Sequence, residues 1–290
     1  MEQLFKYLTQ SEDDKKWGLY VNVAGYAEIA PNEKYPPKGH PEGYHFIWED
    51  GRVLDEYQML YITKGKGVFE TRTTKFDVKE GDIILIAPYV WHRYAPDSED
   101  GWREHYIGFN GEIMKSIIDF FDVESPVVYV GYNEQILNAY EELFDLTQQE
   151  RIGYQQAASG YVLFILGKVR QIVLTQGFAN NKIEKIINKS RLYMRAHLTE
   201  QFSMQALAEE LNISYSLFRS EFKKYTGISP GQYLLQLKIQ TAKNLLSNTA
   251  FTVKEIAFKS GFESPYYFSK AFRKYTTISP SEFRDKLKRN

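Results

Sequence analysis

Apolar and polar residues change rhythm twice along this chain. Over residues 17–109 they alternate in short runs, as in EYQMLYITKGKGVFETR, where the alternation flanks a Gly-Lys-Gly turn. The stretch FDVKEGDIILIAPYVWHRYAP holds a buried strand at 82–87 closed by Pro88, and REHYIGFNG reads as another strand. Short strands separated by glycine and proline predict an antiparallel sandwich or barrel. Over 133–176 the period becomes helical. Ala157, Ala158, Tyr161, Val162, Ile165, Val169, Ile172 and Val173 form one stripe, spaced as on an amphipathic helix. Leu163, Leu166 and Leu174 lie on another side. A helix with two apolar faces suits both packing on its own domain and pairing with a second subunit; burial within one chain is the alternative. GFANNK, at 177–182, breaks the pattern and reads as a linker.

From residue 183 onward the pattern is one of short amphipathic helices. Two stretches nearly repeat, FKKYTGISPGQY from Phe222 and FRKYTTISPSEF from Phe272. Each is the end of a helix-turn-helix, at 206–225 and 253–275, with Ser214 and Ser264 capping the second helices. SPGQYLLQLKIQTAKNLL suits a longer connecting helix, with Ser229 as N-cap and Pro230 first inside. Spacing of four turns Phe218 and Phe222 inward, and likewise Phe268 and Phe272. Ser216, Arg219, Ser220 and Lys223 then face outward on the first reading helix. Pro265, Tyr266, Ser269, Lys270 and Arg273 do so on the second.

Charge sharpens this division. The whole chain of 290 residues has a formal net charge of −1, yet residues 183–290 carry 18 Lys and Arg against 9 Asp and Glu. Residues 1–182 carry 18 against 28. A basic half suits a polyanion, and two outward cationic faces in tandem suit double-stranded DNA. The chain has no cysteine, which excludes disulfides, thiol redox chemistry and thiolate zinc sites. It has no run of eighteen apolar residues, which predicts no membrane-spanning helix. The N-terminus, MEQLFKYLTQSEDDKKWG, lacks a signal-peptide pattern. A cytoplasmic location is expected.

Residues 203–285 resemble the DNA-binding domain of the AraC/XylS family of bacterial transcription regulators. The resemblance rests on MQALAEELNISYSLFRSEFKKYTGISPGQYLLQLKIQTAKNLL and VKEIAFKSGFESPYYFSKAFRKYTTISPSEFR. It implies that Ser216, Arg219 and Ser220, then Pro265, Tyr266 and Lys270, fall where family members contact bases. Two departures stand out: Ser220 where an arginine is common, and Thr277 where glycine is usual. Threonine there predicts a different or strained turn. RNA polymerase is left open as a further partner.

YITKGKGVFE, VKEGDIILIAPYVWHRYAP and GWREHYIGFNG resemble the cupin-like effector domain of arabinose-type members. That implies a small-molecule effector, a sugar. Trp91, Tyr94, Trp102 and Tyr106 can supply rings for sugar C–H faces, and Lys64, His92 and Glu104 can supply polar partners. By resemblance, Lys64, Tyr94, Glu104 and Tyr106 fall near the sugar. No metal or cofactor is expected: WHRY offers His92 alone, with Arg93 and Tyr94 where a second ligand is needed and His105 thirteen residues on.

The expected architecture is a multidomain α+β chain. An N-terminal cupin-like antiparallel β-barrel or sandwich at 1–176 carries a helical dimerisation segment at 133–176. A C-terminal all-α domain at 183–290 carries two helix-turn-helix motifs. The expected function is a dimeric, sugar-responsive regulator of carbohydrate-utilisation genes, and not an enzyme. The alternatives are a constitutive dimeric DNA-binding protein, or a cupin-type sugar enzyme fused to a DNA-binding module.

Overall fold

The computed structural model describes residues 2–33, 35–36, 47–176 and 181–288. Two compact units emerge, Met1–Gly177 and Phe178–Asn290. The linker expected at 177–182 lies outside the described residues over 177–180, and residues 181 and 182 already belong to a helix.

Period-two alternation dominates the first unit. Its elements are β1 (Glu2–Tyr7), α1 (Glu12–Lys16), β2 (Tyr20–Ile29), β3 (Tyr57–Thr71), β4 (Lys75–Lys79), β5 (Asp82–Ile86), β6 (His92–Pro96), β7 (Trp102–Asn110), α2 (Met114–Ile117) and β8 (Val127–Tyr129). Helices α3 (Glu134–Gln149) and α4 (Tyr154–Gln176) follow. The strands run in the order β1-β2-β7-β3-β5-β8, every pair antiparallel. The Gly-Lys-Gly stretch is not a hairpin turn. β3 continues through it, with an irregularity between Ile62 and Lys64 and Gly65 at φ 83°. Its first half pairs with β5 and β7 and its second half with β4 and β6. One bent strand therefore serves both walls, as a bulge permits. Gly67 is needed at the crossing, because a Cβ there would lie 2.2 Å from the Ala95 carbonyl oxygen and 2.8 Å from the Trp102 indole.

Alternation separates two cores. Met59, Tyr61, Ile83, Leu85, Ile107 and Phe109 face the helices. Leu60, Ile62, Ile84, Ile86, Phe69 and Trp102 face the barrel interior. Asn133 caps α3 through the amide of Ile136. Helix α4 is long and apolar enough to cross a membrane, against the expectation from run length. Its stripe Ala158, Val162, Ile165, Leu166 and Val169 is instead buried against the sheet. This also corrects the second apolar face. Leu166 joins the first stripe and Leu163 packs beside it, whereas Leu174 is exposed. At 100° per residue, positions 162, 165, 166 and 169 make a single seam.

The second unit is helical: α5 (Asn181–Ala196), α6 (Met204–Glu210), α7 (Tyr215–Thr226), α8 (Pro230–Asn248), α9 (Val253–Lys259), α10 (Pro265–Thr276) and α11 (Pro280–Lys288). Ser214, Ser229 and Ser264 cap α7, α8 and α10 as the sequence implied. Phe218 and Phe222 lie in one core and Phe268 and Phe272 in another, all four fully buried.

The repeated segment is closed identically in both copies. Thr226 Oγ1 donates to the carbonyls of Phe222 and Ile228, and Thr276 Oγ1 to those of Phe272 and Ile278. Gly227 ends α7 at φ 81°, and Thr277 ends α10 at φ 68°. The turn at Thr277 is therefore not a different one. A β-branched residue holds the same left-handed conformation, which is strained. Thr277→Gly is expected to stabilise the second unit by about 1 kcal/mol, read as a higher urea midpoint.

Candidate functional site

Several polar side chains enter the otherwise apolar barrel interior. β7 places Trp102, Glu104 and Tyr106 on the inner face at period two. β6 adds His92 and Tyr94 from the opposite wall. Arg52 enters from outside the regular strands, joined to His92 by reciprocal backbone hydrogen bonds of 2.9 Å. Its Nη2 donates to the Tyr94 hydroxyl at 2.5 Å and its Nε to His92 Nε2 at 3.1 Å. His92 Nε2 is thus an acceptor, and Nδ1, 2.9 Å from the Val90 carbonyl oxygen, carries the proton. The imidazole is neutral, since burial and then Arg52 push its pKa down to about 4.

Rings surround this cation. Tyr94 lies 6.2 Å from His92 and 6.1 Å from both Trp102 and Tyr35, and Tyr35 meets Trp102 edge-on at 6.1 Å. Burial raises the Tyr94 hydroxyl to about 12 and Tyr35 well above its ordinary value. Glu104 is 4% exposed, and burial pushes its carboxyl up to about 8, with Arg52 opposing. At neutral pH it is chiefly a neutral acid, able to donate as well as accept. Towards the other end, Gln58 and Asn22 donate to the Glu56 carboxylate at 2.6 and 2.5 Å.

Trp102 Nε1 and Glu104 Oε2 are buried with no hydrogen-bond partner among the described residues. Each such group costs about 1–3 kcal/mol when nothing satisfies it. Native interiors tolerate this chiefly where water, an ion or a ligand completes the bond.

Five of the seven ligand residues expected from sequence therefore converge: His92, Tyr94, Trp102, Glu104 and Tyr106. They lie in the interior, not at a mouth, and His92 is fully buried. The other two stand apart. Lys64 is exposed, 3.7 Å from Glu28, because the irregularity in β3 turns it outward. Trp91 lies outside the barrel, its indole donating to the Asp50 carbonyl at 2.7 Å and stacked by Arg72 and Arg93. Sequence reasoning missed Arg52 and Tyr35, which lie outside any periodic run. An arginine directly after the turn residues Asp50 and Gly51 was the available signal.

On the second unit, Ser216, Arg219, Ser220 and Lys223 are exposed along α7. Tyr266, Lys270 and Arg273 are exposed along α10, with Pro265 and Ser269 half-buried. Ser269 Oγ donates to the Pro265 carbonyl at 2.9 Å, which holds it along its own helix. Counted from the caps Ser214 and Ser264, Arg219 stands at the position of Ser269, and Lys270 at that of Ser220. The two principal cations are offset by one residue, about 100° around the helix axis. The turns differ as well: three residues separate α6 from Ser214, and four separate α9 from Ser264.

Both halves match known family models. Residues 45–166 match the AraC-like ligand binding domain, and residues 207–286 match a helix-turn-helix domain. The chain belongs to the AraC family of transcription regulators. Its relatives include the MmsAB operon regulatory protein of Pseudomonas aeruginosa, 26% identical over 81% of this chain and 76% of that protein. The lactose operon transcription activator of Staphylococcus xylosus is 26% identical, over 83% and 86%. The transcriptional activator RhaS of Salmonella schwarzengrund is 22% identical, over 90% and 93%. As an AraC-family protein, the chain is a DNA-binding transcription regulator with a ligand-binding domain.

Proposed function

We propose that this regulator senses a sugar in its barrel interior and controls carbohydrate-utilisation genes. The supporting observation is the pair of unsatisfied buried groups, Trp102 Nε1 and Glu104 Oε2, among the rings of Tyr35, Tyr94 and Trp102. Sugar hydroxyls donate and accept, so one can take the indole N–H while another meets Glu104, with C–H faces lying on the rings. Arg52 and Tyr94 provide a fixed polar wall. The name of the lactose operon activator fits a carbohydrate theme. The family supports regulation over turnover.

The test is a titration of the full chain with pentoses, hexoses and oligosaccharides, followed by tryptophan fluorescence. One sugar is expected to quench, and Trp102→Phe, which removes the N–H together with the five-membered ring, to weaken binding about tenfold or more, read by titration calorimetry because the variant also loses a fluorophore. If no sugar quenches, or Trp102→Phe binds equally well, the sugar reading fails and a constitutive regulator is favoured.

On the DNA side, α7 and α10 are the reading helices, with Arg219 and Lys270 at base edges and Lys223 and Arg273 at phosphates. Helix α8, 19 residues long, spans about 28 Å. Successive major-groove faces lie about 34 Å apart, so one protomer reads two of them with modest bending. Arg219→Ala or Lys270→Ala should each cost about 1–3 kcal/mol of operator affinity at fixed salt and relax sequence preference. Unchanged binding to every operator by both variants would overturn the assignment.

Pairing of two chains falls to α3 and α4. A shallow groove of about 420 Å³ runs between them, lined by Ala139, Ala157, Gly160, Tyr161 and Phe164. Phe164 is exposed there, and Gly160 leaves open space beside it. Sedimentation of the full chain at the mass of two protomers is the expected result. The protein so read acts in the cytoplasm on its operator DNA.

A further inference from the structure

The outer face of β7 borders a cavity. Glu104 and Tyr106 point inward, so His105 between them points outward. There a cleft of about 650 Å³ opens between β2, β7 and α3. His105 sits at its floor, with ring centres 6.0 Å from Tyr26 and 6.2 Å from Tyr140. Phe144 meets Tyr26 edge-on at 6.0 Å. Burial, then Arg103, pushes the His105 pKa down to about 4, so the ring is neutral and its nitrogens have no hydrogen-bond partner among the described residues. Tyr140 is committed, donating to the Met59 carbonyl at 3.2 Å.

Charge around this cleft is divided between its rims, with a negative balance overall. On one rim Arg103 and Lys64 share the single carboxylate of Glu28, at 2.6 and 3.7 Å, which leaves that rim one positive charge in excess. On the other, Glu141 and Asp145 stand one helical turn apart on α3, both exposed, and neither has an ion-pair partner among the described residues. Two unbalanced carboxylates thus overlook three electron-rich rings and a neutral imidazole.

We propose that this cleft is a second ligand site, for a small protonated amine. The ammonium lies over the faces of Tyr26 and Phe144, between Glu141 and Asp145, and donates one N–H to His105. Aromatic faces attract cations through their quadrupoles, and carboxylates at the rim add direct attraction. A neutral ligand of the same shape gains neither. An anion would be repelled by Glu141 and Asp145. The site lies on the helix side of β7, opposite Trp102 and Glu104, although Tyr106 also borders it. This inference does not depend on the effector being a sugar.

The test uses the full chain and two probes of matched shape, benzylamine and benzyl alcohol, compared by titration calorimetry at neutral pH and low salt. Benzylamine is expected to bind saturably and at least about tenfold more tightly than the alcohol. The double variant Glu141→Gln with Asp145→Asn should weaken benzylamine about tenfold. Both positions are exposed, so this variant should keep the parent's melting temperature, which separates lost binding from lost folding. Equal affinity for both probes, absence of saturable benzylamine binding, or an unweakened double variant would each overturn the assignment.

Discussion

Alanine in place of Phe272 is expected to cost about 3–5 kcal/mol and to abolish operator binding. Phe272 is fully buried and meets Phe268 at 5.6 Å and Phe283 at 5.5 Å, both edge-on. It ties α10 to α11 and, through Ile239, Ala242 and Leu246, to α8. Deleting the ring leaves a cavity that short helices cannot close without moving. A domain of this size holds only about 5–15 kcal/mol of total stability, so the loss removes a large share of it. Urea denaturation followed by far-ultraviolet circular dichroism should show the second unit's transition at a much lower midpoint. Lys274→Ala, on the exposed side of the same helix, should leave that midpoint nearly unchanged. A Phe272→Ala midpoint matching the parent would refute the core assignment.

The second large effect is a stability maximum in pH belonging to the first unit. Glu104, ordinarily near 4.5, is held at about 8 in the folded chain. Between those values the folded state keeps a proton that the unfolded state has released, so stability falls as pH rises. His92 and His105, ordinarily near 6.5, are held at about 4 by burial. The unfolded chain takes up protons that the folded chain refuses, so their contribution rises between about pH 4 and 6.5. Two rising contributions outweigh one falling below about pH 6.5, and above it the histidine contributions fade until Glu104 dominates. Stability should therefore peak near pH 6.5 and lose about 1 kcal/mol by pH 8. Glu104→Gln, which cannot ionise, should remove the fall on the alkaline side. Urea midpoints measured across that range decide it, and a parent curve flat from pH 6.5 to 8 would rule out a buried neutral Glu104.

Much of this fold could be read directly from residue order. The helix-turn-helix units announce themselves because short helices need caps and a regular inward stripe, and Ser214, Ser264 and the four phenylalanines supply both. Glu104 and Tyr106 share a face because strand alternation leaves no other choice. Arg52 escaped because it lies between elements, where no period constrains a side chain. Lys64 and Trp91 were misplaced for a related reason. A β-irregularity reverses the faces of the residues beyond it, and a tryptophan beside a turn can stack outside as readily as inside. Leu166 went to the wrong face because a helix seam about 100° wide admits more positions than a two-stripe count allows.

The extra residue before Ser264 reaches beyond local geometry. Together with the one-position offset of Arg219 and Lys270, it makes the two helices proposed to read DNA inequivalent in phase as well as in chemistry. A protomer built this way has a front and a back on the duplex. The stretch it recognises then has no internal dyad, and reversing that stretch relative to a promoter presents the opposite end of the regulator to whatever is bound alongside. Orientation of the operator, and not its sequence alone, becomes part of the message.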